Sequence, residues 1–271
     1  LTCQTELRGR GAVPTAATGL RDHPLWLAAG FSPTYAASSA IYAPKTDWGA
    51  VINTCSIYTY LDGILHILTG CRANVELTAE AGQYGRLNWT IQGFYGALGA
   101  STDLSQSAGI SDTAAIPTST FDAFTVSPPP AMNAQAIIDA GGANFSPVLQ
   151  AFNCNLNNEI QQRVSMNSAN GVLGFLLTGR RPQGTINPEA VKRATYDFWK
   201  FHQDATTKKF TIAFQGPTVT VGNKVRVDLP AMQFGVPGWG DRNGIRTYEL
   251  PYTATTVDAT LGDDEITFTF L

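Results

Sequence analysis

Few residues in this chain have the types and spacing that catalysis or ligand binding requires. The three histidines, His23, His66 and His202, have no cysteine or carboxylate at a metal-ligand interval, so they are read as structural. The four cysteines, Cys3, Cys55, Cys71 and Cys154, lack paired ligand spacing too. They are expected to be small buried hydrophobes kept reduced, with a Cys55–Cys71 disulfide on neighbouring strands as the alternative. Asp263-Asp264-Glu265 precedes a terminal strand, a place that fits a solvated turn better than acid–base or metal chemistry. Asp241, Asn243 and Glu249 superficially resemble a calcium loop, but no acid falls where the bidentate ligand belongs.

Arg180-Arg181 offers two equal readings: a holder of phosphate or of a partner's carboxylate, or a salt bridge on a turn face. Asn88-Trp89-Thr90 and Asn144-Phe145-Ser146 match the glycosylation acceptor pattern, which means nothing without a secretory signal. No Ser-His-Asp or Cys-His arrangement occurs as a local motif, and no Gly-rich loop cradles phosphate ahead of a helix. The sequence therefore names no catalytic, cofactor-binding or metal residue. An enzyme would need a site assembled from distant loops.

The elements that position these side chains are mostly strands. Phe210, Ile212 and Phe214 alternate with polar or small residues, as do Val225, Val227 and Leu229, and Ile266, Phe268 and Phe270. This period of two marks half-buried antiparallel strands. Gly222-Asn223, Asn243-Gly244 and Gly262-Asp263 supply the positive-φ residues of tight turns between them. Earlier in the chain, strands are predicted over Val51–Tyr60, Ile64–Leu68, Arg72–Thr78 and Leu87–Ile91, the first pair turned by Asp62-Gly63. Phe121–Val126 reads as one more, and 148–159 and 175–178 begin a second set. Helices are predicted over Pro24–Ala29, ended by Gly30, and from Pro188 to Gln203, where Asn187-Pro188-Glu189 looks like a cap, a first-turn proline and a dipole-matching acid. Gly96–Thr120 reads as loop, and Pro128-Pro129-Pro130 with the small-residue run 133–144 reads as a linker or extended arm.

Composition narrows the class. Charged residues make up 14% of the 271 residues, against roughly 25% in an ordinary soluble domain. A surface so poor in charge points to burial against other protein. A formal net charge of -3 gives no general attraction to nucleic acid. No apolar run is long enough to span a bilayer, no signal peptide opens the chain, and Leu1 in place of Met is read as upstream loss.

The two halves rhyme. Glu6-Leu7-Arg8-Gly9-Arg10-Gly11 before the first helix matches Leu177-Thr178-Gly179-Arg180-Arg181-Pro182 before the second. Ser56–Tyr60 matches Thr211–Phe214, the hairpin Ile64–Leu77 matches Val219–Leu229, and Gly85–Thr90 matches Gly244–Glu249. Each half thus reads strand, helix, strand, hairpin, Gly turn, strand, which favours an internal duplication. The expected organisation is a first domain over 1–130, a linker over 131–145 and a second domain over 146–271.

Gly222-Asn223-Lys224-Val225, Leu229-Pro230, Gly240-Asp241-Arg242-Asn243-Gly244-Ile245 and Gly262-Asp263-Asp264-Glu265-Ile266 resemble the C-terminal part of the tail tube proteins of long-tailed bacteriophages. Glu6–Gly11 and the hairpin from Tyr60-Leu61-Asp62-Gly63 to Gly70 are similar to the front half of that family. The resemblance implies a mainly β fold: two similar antiparallel β-sandwich or barrel-like tube domains, each with a flanking helix. It implies a structural virion protein without catalytic site or cofactor, self-assembling into stacked rings that conduct the genome. Its partners would be itself, other tail proteins and double-stranded DNA in transit, with no membrane, in a virion tail assembled in the host cytoplasm. With the duplication, a trimeric ring of pseudo-sixfold symmetry is favoured over a hexamer, and Gly96–Thr120 is expected to touch the neighbouring ring. From a different class, Trp239 in Gly238-Trp239-Gly240 could stack on sugars in a carbohydrate- or cell-binding β module.

Overall fold

A computed structural model describes residues 1–9, 12–45, 53–61, 64–95, 133–139, 144–168, 171–215, 224–258, 260 and 262–271. The first part contains β1 (Thr2–Glu6), α1 (His23–Ala28), β2 (Phe31–Ala36), β3 (Ser39–Pro44), β4 (Cys55–Leu61), β5 (Ile64–Glu80) and β6 (Arg86–Tyr95). Next come β7 (Asn133–Asp139), β8 (Asn144–Phe145), β9 (Leu149–Asn155), β10 (Glu159–Val164) and β11 (Val172–Gly179). The last part contains β12 (Gln183–Pro188), α2 (Phe198–Gln203), β13 (Thr207–Gln215), β14 (Lys224–Phe234), β15 (Gly238–Arg242), β16 (Ile245–Thr255) and β17 (Thr267–Phe270).

One antiparallel path runs β1-β6-β5-β9-β12-β16-β14-β13-β7-β8. In the first half β1 lies beside β6, β6 beside β5 and β5 beside β4. In the second, β12 lies beside β16, β16 beside β14 and β14 beside β13. Both sets have the same order, with a helix between the first and second strand in the chain. Between them sits β9, paired with the end of β5 on one side and with β12 on the other. The β9–β12 join is close: a Cβ on Gly184 would lie 2.0 Å from the Asn153 carbonyl oxygen.

Alternation in the sequence becomes alternation in burial. Phe210, Ile212 and Phe214 of β13 are buried, as are Val225, Val227 and Leu229 of β14 and Phe268 and Phe270 of β17. Val75, Leu77, Leu87, Trp89 and Ile91 supply the same layer from β5 and β6. Each helix inserts an aromatic side chain. Trp26 of α1 is wholly buried, with Phe268, Phe31 and Trp89 rings at 4.6, 5.0 and 5.3 Å. Phe198 of α2 meets Tyr196, Phe234 and Tyr248 at 4.7, 5.5 and 5.6 Å. Edge-to-face packing of this kind adds roughly 0.5–1.5 kcal/mol per pair beyond area burial.

Three expectations need correction. The helix predicted from Pro188 starts only at Phe198. Asn187 does not cap a helix, because its side-chain oxygen accepts from the backbone N–H groups of Gln150 and Ala151, so Pro188 closes a strand. Asp197 is the true cap, accepting from the Lys200 N–H at 3.0 Å. Within the run read as linker or arm, Asn133–Asp139 is the strand β7 laid against β13. Glu265 does not belong to a solvated turn, since it is 7% exposed. The Asp62-Gly63 and Gly222-Asn223 turns, the Gly96–Thr120 loop, the Phe121–Val126 strand and Pro128–Pro130 lie outside the described residues.

Candidate functional site

The core covers one face of the sheet, and among the described residues no element packs over the opposite face of β6, β5, β9, β12 and β16. Strand alternation puts Asn74, Glu76, Thr78 and Glu80 there from β5, Asn153 and Asn155 from β9, Gln183 and Thr185 from β12, and Glu249 and Thr253 from β16. Two shallow hollows of about 540 and 440 Å³ lie on this face and meet at Asn153 and Thr185. Asparagines stitch it together. Asn74 Nδ2 donates to Asn155 Oδ1 at 2.9 Å, and the Thr185 backbone N–H donates to Asn153 Oδ1 at 2.5 Å. Asn158 Nδ2 donates to the Ala29 and Ala73 carbonyls, tying the end of α1 to β5.

The ionic groups lining the hollows are Glu76, Glu80 and Glu249 against Arg86. The wall is therefore neutral-polar with an acidic bias. It can hydrogen-bond water but offers no cluster of cations to hold a phosphate chain. The sequence carried a signal for it in Phe152-Asn153-Cys154-Asn155-Leu156, an alternation of buried residues with asparagine.

The structure scatters the residues that sequence reading weighed for chemistry. His23 Nδ1 meets the Tyr42 hydroxyl at 2.9 Å and His66 Nδ1 the Tyr95 hydroxyl at 2.6 Å, while His202 Nδ1 lies 3.2 Å from the Phe234 carbonyl. All four thiols are free; Cys55 and Cys71 are direct cross-strand partners. Burial pushes the Cys55 thiol up to about 11 and Cys154 up to about 12, which keeps them protonated and inert at neutral pH. Among the described residues no group of histidine, cysteine and acid residues could hold a metal ion.

Arg180 resolves its two readings. Its guanidinium Nη2 donates to Glu265 Oε2 and Oε1 at 3.1 and 3.2 Å, with both side chains about nine-tenths buried. Arg181 is exposed. Asp264 accepts from the Val257 and Asp258 N–H groups and so holds a turn. Asp241 does likewise for Gly244 at the β15–β16 turn, where Asn243 and Gly244 have φ of 53° and 86°.

Two further surface features stand out. Trp239 is 55% exposed, with the Tyr248 ring at 4.8 Å, Trp199 at 6.2 Å and the Arg246 guanidinium over it at 5.1 Å. Among the described residues the β10–β11 hairpin pairs with no other strand, and it exposes Val164, Met166, Leu173 and Leu176. Among the described residues no helix is long and apolar enough to cross a membrane.

A mainly antiparallel β chain with a continuous core and a polar outer face defines a mainly β class of protein. The family model described as phage tail tube protein matches residues 2–270, and the chain belongs to that family. It is thus a structural bacteriophage protein of the virion tail, from a family that is generally non-enzymatic. No curated protein matches the chain.

Proposed function

We propose that this protein assembles with copies of itself into stacked rings forming the tail tube, and that the tube conducts the genome during ejection without catalysis by the chain. The observation carrying this reading is the open sheet face. DNA carries one negative charge per roughly 1.7 Å of helix axis, so a conduit must avoid clustered lysine and arginine. The wall from β6 to β16 meets that demand with Asn, Gln and Thr, and with Glu76, Glu80 and Glu249 against Arg86. Placed toward the lumen, it would let DNA pass hydrated and unheld. Other tail proteins would meet the ends of the tube, which assembles in the host cytoplasm.

The shared order β1-β6-β5-β4 and β12-β16-β14-β13 supports reading the chain as two tube units, within the ranges 1–130 and 146–271. Three copies then supply six units per ring, a trimer with pseudo-sixfold symmetry; a ring of six chains is the alternative. Negative-stain images of the concentrated protein decide. Hollow tubes with threefold or pseudo-sixfold end views are expected, whereas persistent monomers would overturn the assembly reading. The Trp239 platform supports a second reading, sugar stacking in a binding module. Glycan binding abolished by Trp239→Ala, in a chain that never polymerises, would favour it.

A further inference from the structure

We propose that the strip of surface crossing α2 binds an acidic polysaccharide, whose sugar rings stack on Trp239 while Lys200, Lys208 and Arg246 meet its carboxylates. Charge is unevenly spread along this chain. Eleven of its 18 lysine and arginine residues, but five of its 21 aspartate and glutamate residues, fall between Arg180 and Arg246. A formally acidic protein thus carries one cationic region, and such a region raises the local concentration of an anionic partner. Aromatic rings lie among these cations. Trp239 of β15 is 55% exposed, with the Arg246 guanidinium 5.1 Å from its ring and the Trp199 ring of α2 at 6.2 Å. On the same helix, Lys208 Nζ stands 4.3 Å over the Phe201 ring.

The mixture selects the ligand. An indole face covers the apolar C–H face of a pyranose ring, and a guanidinium or ammonium beside it holds a carboxylate. A neutral glycan would leave the cations idle. A nucleic acid strand would use both rings and cations, but acids stand among them: Asp197 and Asp204 pair with Arg193 and Lys200 at 2.6 and 2.7 Å, and Asp241 lies across from Arg246. These carboxylates repel a continuous phosphate chain, yet they accept hydrogen bonds from sugar hydroxyls. The orientation of the strip rests on the assembly reading above. Phe198 of α2 packs on Phe234 and Tyr248 of the buried sheet face, so α2 lies on the side away from the polar wall. With that wall toward the lumen, the strip faces the outside of the tail, where bacterial surface polymers are met. Glycan contact here accompanies assembly rather than replacing it.

Three probes separate the partners. Oligogalacturonate, a neutral malto-oligosaccharide of the same length and oligothymidylate are titrated calorimetrically into the protein, with assembly followed in parallel by negative stain. Oligogalacturonate should bind about tenfold tighter than either other probe, and more weakly as salt is raised. Trp239→Ala should weaken that binding about tenfold or more. Arg246→Gln combined with Lys208→Gln should weaken it similarly and remove most of its salt dependence. Circular dichroism checks the fold of each, and the charge variant carries the test if Trp239→Ala unfolds. An oligogalacturonate that does not bind overturns the proposal, as does a neutral sugar or oligothymidylate that binds as tightly, or a folded variant that binds unchanged. Tubes without oligogalacturonate binding overturn the strip alone. Binding that depends on Trp239 in a chain that never forms tubes keeps the strip and overturns the assembly reading.

Discussion

Replacing Glu265 by alanine tests whether the C-terminal turn is held by charge. Its carboxylate accepts two bonds from Arg180, and the pair is 9% and 10% exposed at the side chains. Among the described residues Arg180 would keep the long contact to the Gly262 carbonyl at 3.4 Å, and its buried Nε has no partner there. A buried charge stripped of its partner costs about 3–5 kcal/mol, because the desolvation remains and the attraction does not. In a chain of 271 residues each kcal/mol moves Tm by roughly 2–4 °C, so the expected fall is about 6–20 °C. Urea unfolding gives the free energy directly, with an unchanged m-value as the sign that only stability moved.

The double substitution Arg180→Met with Glu265→Met removes both charges and keeps apolar bulk. It should recover most of the loss, since well-packed apolar side chains replace buried ion pairs at little or no cost. A Glu265→Ala loss below about 1 kcal/mol would refute the reasoning. So would a double variant as unstable as the two single losses summed, because coupled partners do not add.

Two more expectations follow from local geometry. Gly184→Ala drives a Cβ to 2.0 Å from the Asn153 carbonyl oxygen, so β9 and β12 must part; a loss of about 3 kcal/mol or more is expected on urea unfolding, and an unchanged midpoint would show that the strands give way freely. Burial raises the Asp22 carboxyl from 3.8 to about 6, with hydrogen bonds offsetting part of the rise. The folded chain therefore binds this proton more tightly than the unfolded chain, and the contribution is full below pH 4 and lost as pH rises through 6. Asp22→Asn should remove that slope from a Tm-against-pH series and stabilise the protein at pH 7 by up to about 3 kcal/mol; an unchanged slope would sink the assignment.

Strands with one buried face were legible because packing and period agreed. Phe210, Ile212 and Phe214 alternate in sequence and are all buried, and Asn243-Gly244 makes the turn its φ values require. The Pro188 helix was misread because a local signal met a tertiary competitor. Asn187 found backbone donors on β9 and Pro188 ended a strand, so nucleation moved to Asp197. Glu265 looked like one of three solvated acids because its partner, Arg180, is 85 residues away in sequence. The open polar face was hidden for a similar reason: its residues come from five strands, and the local alternations in β5 and β9 do not say that the two strands lie side by side. β15, with Gly238 and Gly240, has too little side chain to show a pattern.

The position of β17 has a consequence for synthesis. It pairs with β14 and, on its other side, with β3, so Phe268 faces Tyr42 across the sheet. The same Phe268 lies against Trp26 of α1, at a ring separation of 4.6 Å. The β2–β3 hairpin and α1 emerge early from the ribosome, yet their packing surface waits for residues made more than two hundred positions later. Pairings this distant in sequence slow folding and leave the early segments open while translation proceeds. A nascent chain halted before Thr267 should therefore stay sensitive to protease around Phe31–Pro44, and protection should arrive abruptly with the last strand.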